Sequence, residues 1–303
     1  MRIYADCIPC MLAVRLRDVF RVFSGEDERL RAMRAVLRIV SESVSAGVLS
    51  APRIATRAFR WIKEASGVDD PYEDVKRASD EAMLSAYPGL RGRVLSLPPR
   101  EALEAALRLS AAGNLLDVGV ASYKPPGPGE LLSTAMSMRL RGDVGEALRV
   151  LGRRGLRVLM VLDNAGEAVL DRLLADVLRE AYGCRVVGVV KSGAFQNDET
   201  LRDAERSGLA GSFDELVGSG SDAASIFLEE ASPRLLEELG SCDVIVSKGM
   251  ANYEYLTDVE EQLGKTIVYV LAAKCRPIAL DTGVGRGEAV VRVHAPGGKG
   301  SEI

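Results

Sequence analysis

Histidine and aromatic side chains are what this sequence has least of. Its 303 residues include one histidine, His294, one tryptophan, Trp61, and only 5% aromatic residues in all. The isolation of that one histidine near the end of the last strand pattern argues against a histidine-based phosphatase or a Ser-His-Asp relay, in which the base is oriented by a second group. His294 is expected at the surface or an edge, and Trp61 inside a helical packing. Few rings and a net charge of -4 provide neither stacking platforms nor a basic surface, so nucleic acid is not an expected partner. A small anionic ligand in a local basic pocket remains compatible with that balance.

Long apolar runs are also missing. No window would span a bilayer, and Arg15, Arg17 and Asp18 interrupt the amino-terminal stretch too early for a secretory leader core. No membrane is expected as a partner. Five cysteines, an odd number in a long chain, fit a reducing cytoplasm better than a disulfide scaffold. The expected location is therefore cytoplasmic; the oligomeric state is not legible.

Hydrophobic residues make up 47% of the chain, ample for a proper core, and their spacing changes along it. Up to about residue 155 they recur with helical period, as in "RAMRAVLRIVSESVSAGVL" and "REALEAALRLSAAGN". From "GLRVLMVLD" onward, short β-branched runs ("CRVVGVV", "CDVIVS", "TIVYVL", "EAVVRVH") alternate with helix-length segments, the pattern of crossover units and a mostly parallel sheet. The expected architecture is α/β: a mainly helical region, 1–155, packed on a Rossmann-like α/β/α domain, 156–303.

Three strand runs end alike. "VLMVL" gives way to Asp163, Asn164, Gly166 and Glu167; "CRVVGVV" leads to Asn197 and Asp198; "CDVIVS" leads to Lys248. Asp-Asn-Gly after a strand also serves as a turn and helix cap, but three coincident ends favour a ligand site, since parallel strands open their carboxyl edge into a crevice. Two carboxylates crowded there repel unless a cation or proton lies between them. Asp163, Asn164 and Asp198 form a hard, all-oxygen set suited to Mg²⁺ or Mn²⁺, and Lys248 offsets phosphate charge.

The strings "DCIPC", "DPYEDVK", "AAGNLLDVG", "LDNAGE", "NDETLRDA", "SKGMANYE" and "AAKC", in that order, span nearly the whole chain. Together they resemble the metal-dependent damage-control phosphatases (domain of unknown function eighty-nine), in the archaeal branch that bears a CxxC pair. The resemblance implies a divalent cation (Mg²⁺, Mn²⁺, Co²⁺ or Ni²⁺) on Asp163, Asn164 and Asp198. It also implies hydrolysis of phosphate monoesters of small metabolites such as sugar phosphates, with Asp163 and Lys248 in the chemistry. Asn114, Asp117, Glu167, Asn197 and Lys248 are expected at the substrate. The chain departs from the family at Ala194, where proline is usual, and at Ala224, where glycine is usual; both fall in possible substrate loops. The alternative from another class is a non-enzymatic, metal-dependent sensor of a phosphorylated metabolite.

Two patterns stand outside that scheme. Cys7 and Cys10 form a CxxC pair that would meet Cys275 as a thiol cluster, with no fourth ligand for zinc; Cys184 and Cys242 are expected in the core. "GSGSDAAS" satisfies a dinucleotide pattern but follows "SFDELV", a poor strand, which argues against a nucleotide fold.

Overall fold

The computed structural model describes residues 1–116, 121, 130, 133, 135 and 138–297. It opens with helices α1 (Cys7–Val22), α2 (Glu26–Ser45), α3 (Ala51–Ser66), α4 (Glu73–Leu95) and α5 (Pro99–Gly113). In α3, Pro52 pre-sets the first turn and Gly67, at φ +71°, ends the helix in a left-handed conformation closed to most side chains. Between them Ile54, Ala58, Phe59 and Ile62 recur on one buried face. Ile54 and Ile62 pack with Val19 of α1 and Val36 of α2, Trp61 resting against that core.

The remaining elements are β1 (Leu140–Gly142), α6 (Val144–Leu151), β2 (Arg157–Val161), α7 (Glu167–Tyr182), β3 (Arg185–Val190), α8 (Leu201–Ala204), β4 (Glu215–Gly218), α9 (Pro233–Ser241), β5 (Val244–Lys248), α10 (Met250–Leu263), β6 (Thr266–Ala272), α11 (Arg276–Thr282) and β7 (Ala289–His294). The strands form one sheet in the order β1-β7-β6-β5-β2-β3-β4. All pairs are parallel except β6 with β7. This is the α/β architecture expected.

Alternate residues of each central strand serve opposite faces. Val158 and Met160 of β2 join Val244 and Val246 of β5 in one core, while Leu159, Val161 and Ile245 join the other. A sheet buried on both faces needs continuous apolar runs, which is why these strands show no polar alternation.

Three local expectations are corrected. Leu140–Gly142, inside the stretch of helical period, pairs with β7 as an edge strand. "SFDELV" does contribute a strand, β4, held by parallel pairing to β3. The glycine-rich loop after it continues irregularly to a short 3₁₀ turn at Leu228–Glu230, so it lacks the helix amino terminus that would hold a dinucleotide phosphate. His294 is buried: it pairs with Ile267 of β6, and its Nδ1 lies 3.5 Å from Glu260 Oε1.

Strand order reverses between β2 and β5, with β3 and β4 beyond one and β6 beyond the other. The carboxyl ends of strands flanking such a reversal leave a crevice, because their connections depart to opposite sides.

Candidate active site

Asp163 and Asn164 leave the end of β2 in that crevice. An isolated bridge pairs Asn164 with Asp198, the Ala165 amide donates to the Asn197 carbonyl at 2.9 Å, and the Glu199 amide donates to the Asp163 carbonyl at 2.8 Å. Backbone pairing thus fixes two segments, far apart in sequence, side by side. The loop before Asp198 includes Gln196 at φ +45°, strained for a residue with a side chain and typical of positions held by function.

The carboxylates are set in a lattice of amides. Asp163 Oδ2 accepts from Asn164 Nδ2 at 2.7 Å and Asn114 Nδ2 at 3.1 Å. Both amides also donate to Glu167 Oε2, each at 2.9 Å. Asn114 stands just after α5, and its Oδ1 accepts from the Ala272 amide at the end of β6. One residue from the helical region therefore ties β2, α7 and β6 together.

Gly249 makes this packing possible. Its φ is +78°, and a Cβ placed there would lie 1.9 Å from Asp163 Oδ2. Gly249→Ala therefore combines backbone strain of about 1–3 kcal/mol with direct overlap on a candidate ligand. Urea unfolding should show a loss of at least that strain; wild-type stability would mean that the Asp163 side chain lies elsewhere.

Lys248 is fully buried. Its ammonium donates to the Ser110 carbonyl at 2.8 Å and lies 3.0 Å from Glu167 Oε1 and 3.2 Å from Asp171 Oδ1. Burial would lower its pKa, but Asp171 and then Glu167 reverse that and hold it above the ordinary lysine value. Burial raises Asp171 to about 7, against the opposing pull of Lys248. One hydrogen bond and two ion pairs thus hold the Lys248 ammonium behind the carboxylates. Asn114, Glu167 and Asn197 are likewise buried rather than open to solvent. Asp117 lies outside the described residues.

A cavity of about 600 Å³ adjoins Asp163, Asn164 and Asp198. Its wall also includes Cys7, Cys10 and Cys275. All three are free. Burial raises Cys7, and pushes Cys275 up to about 12; both are held as thiols. Cys184 and Cys242 are buried in the two sheet cores.

Lys191 escaped the sequence reading. It immediately follows the apolar run of β3, its Nζ is 3.5 Å from Asp198 Oδ2, and among the described residues that buried nitrogen has no hydrogen-bond partner. The abrupt change from valine to lysine at a strand end was the available signal. Lys274, in a string that drew notice only for its cysteine, donates to the Asn114 carbonyl at 2.7 Å. Asp171, one turn after Glu167 on α7, was legible from helical spacing.

The donor set suits a hard cation. Asp163, Asn164 and Asp198 line one cavity from paired segments, and the neighbouring Asn197 Oδ1 is a buried acceptor with no hydrogen-bond partner among the described residues. Among the described residues no group of three His, Cys, Asp or Glu side chains is arranged to hold a metal.

A family profile described as the damage-control phosphatase ARMT1-like domain matches residues 3–290. The chain is 30% identical to a damage-control phosphatase of Archaeoglobus fulgidus, over 97% of this chain and 99% of that protein. It is 29% identical to an uncharacterized protein of Methanocaldococcus jannaschii, over 96% and 95% of the two chains. The crystal structure of a DUF89 family protein from Pyrococcus horikoshii superposes with a TM-score of 0.83 at 25% identity, over 96% of this chain and 98% of that one. The paired Asp-Asn at the sheet's reversal point thus lies within a match that takes in nearly every residue, and the chain belongs to the damage-control phosphatase family.

Proposed function

We propose that this protein is a divalent-metal-dependent phosphatase acting on phosphate monoesters of small metabolites in the cytoplasm. Asp163, Asn164 and Asp198 would hold Mg²⁺, Mn²⁺, Co²⁺ or Ni²⁺. The observation that supports the reading is the backbone pairing of Asn164 with Asp198, which brings the segments of Asp163, Asn164 and Asp198 to the wall of one cavity. Such a cation, when bound, polarises a phosphoryl oxygen and lowers the pKa of a bound water.

The chain's own residues do the rest. Asn114 and Asn164 fix the Asp163 carboxylate from its amide side. Lys248 offsets part of the charge of Glu167 and Asp171. The regions 1–155 and 156–303 work as one unit in this reading, since Asn114 belongs to the first and its partners to the second.

Lys191 opposes the cation. Like charges a few ångströms apart in a poorly solvated site repel strongly, so Lys191→Gln is expected to tighten Mn²⁺ binding about tenfold or more in calorimetry, and Lys191→Arg to leave it near wild type. Weaker Mn²⁺ binding in the Gln variant would instead make Lys191 a support for Asp198.

Metal-stripped protein should release no phosphate from p-nitrophenyl phosphate and recover on addition of Mn²⁺ or Mg²⁺. Silence with all four metals, combined with metal-dependent binding of a phosphorylated metabolite, would favour the sensor reading.

A further inference from the structure

The cavity beside Asp163 and Asp198 has a wall of unusual character for a site that handles sugars. Met11, Val14, Pro52, Phe195, Met250 and Pro277 line it, together with the three thiols. Beyond the oxygen cluster its charged members among the described residues are Asp6, Arg15, Glu254, Arg276 and Arg286, and two of the arginines are held in ion pairs. Arg15 pairs with Asp18 at 2.6 Å and donates to the Ala55 carbonyl at 2.8 Å; Arg276 pairs with Asp6 at 2.7 Å. A polyol lying along the apolar part of this wall would surrender its water to side chains that cannot replace it, which is unfavourable for every hydroxyl left unmatched. The volume, about 600 Å³, is that of pockets that enclose drug-sized ligands.

We infer that this cavity receives the alcohol half of the ester and selects one larger and less polar than a sugar, with Cys7, Cys10 and Cys275 serving as part of its apolar wall. This rests on the phosphatase reading for its reaction. In that reaction a water oxygen bonds to phosphorus, the P–O ester bond breaks, and the alcohol departs with a proton from the water, leaving inorganic phosphate.

Straight-chain alkyl phosphates from butyl to decyl test it, because their leaving groups differ in length and hardly in reactivity. With Mn²⁺ present, kcat/KM should rise about threefold to fourfold per added methylene, the gain from burying one such group, until the chain fills the cavity. Glucose 6-phosphate should fall below hexyl phosphate. A flat series, or preference for the sugar ester, overturns the inference. Alkylphosphonates, whose C–P bond does not hydrolyse, should show the same rise in calorimetric affinity. If no ester is turned over with any metal, the phosphatase reading fails, while phosphonate affinities still decide what the cavity selects. Met11→Gln, close to isosteric and polar, should flatten the length dependence; Ala55→Gln, at a partly exposed point of the same wall, should do so if the first variant does not fold. An undiminished length dependence in folded Ala55→Gln would place the chain outside this cavity.

Discussion

Replacing Asp163 or Asp198 by alanine is expected to lower metal-dependent phosphate release by more than about 100-fold. That figure is the upper end of what loss of an outer-sphere partner costs a metal site, and a direct ligand should exceed it. The two positions should behave alike although they stand 35 residues apart, because a backbone bridge makes their segments neighbours. Circular dichroism should show the helices and sheet intact, since neither side chain belongs to the apolar cores. The informative measurement is a metal titration at fixed substrate: a variant that keeps the wild-type rate at limiting Mn²⁺ would remove its residue from the ligand set.

Lys248→Met should be felt first as lost stability, and only through that as lost activity. Lys248, Glu167 and Asp171 are all fully buried, and removing the cation strands two carboxylates. Breaking a buried pair in this way costs about 3–5 kcal/mol. The pH dependence has a definite sign. Asp171 already has a folded-state pKa of about 7, raised mainly by burial and held back by Lys248. Without the lysine it rises further above its unfolded value. A carboxyl group whose folded pKa exceeds its unfolded pKa loses stability as pH climbs between the two values. The deficit of Lys248→Met relative to wild type should therefore be greatest above neutral pH and shrink as the solution is acidified and Asp171 takes up its proton. Urea unfolding at several pH values measures this directly; a deficit that grows on acidification would mean that Asp171 stays charged without its partner.

The features legible in the sequence are those encoded locally. Apolar runs that stop at Asp163, ahead of the Asn197–Asp198 pair, and at Lys248 mark strand ends, because burial on both faces leaves no room for polar alternation. What sequence spacing leaves undetermined is the direction in which each side chain turns once the sheet is assembled. Lys248 points down into Glu167 and Asp171, an outcome set by the register of β5 against β2 and the approach of α5. Lys191 is the converse case: an ordinary-looking lysine at a strand end acquires significance because the following loop doubles back to bring Asp198 beside it. The edge strand β4 is obscured by Asp214 and Glu215, whose carboxylates are satisfied by Arg179, Arg185 and Arg234 and so could not be read from strand propensity.

The position of Asn114 also bears on how the protein comes to life after synthesis. Its bonds reach Asp163, 49 residues onward, and the Ala272 amide, 158 residues onward, and contacts that distant form late because the intervening chain must be ordered first. The helices and the β2–β3 pairing can be complete while the carboxylate at the crevice still lacks its amide clamp. In a refolding experiment, enzymatic competence should consequently lag behind the far-ultraviolet signal, and a partly assembled chain would circulate without hydrolysing anything.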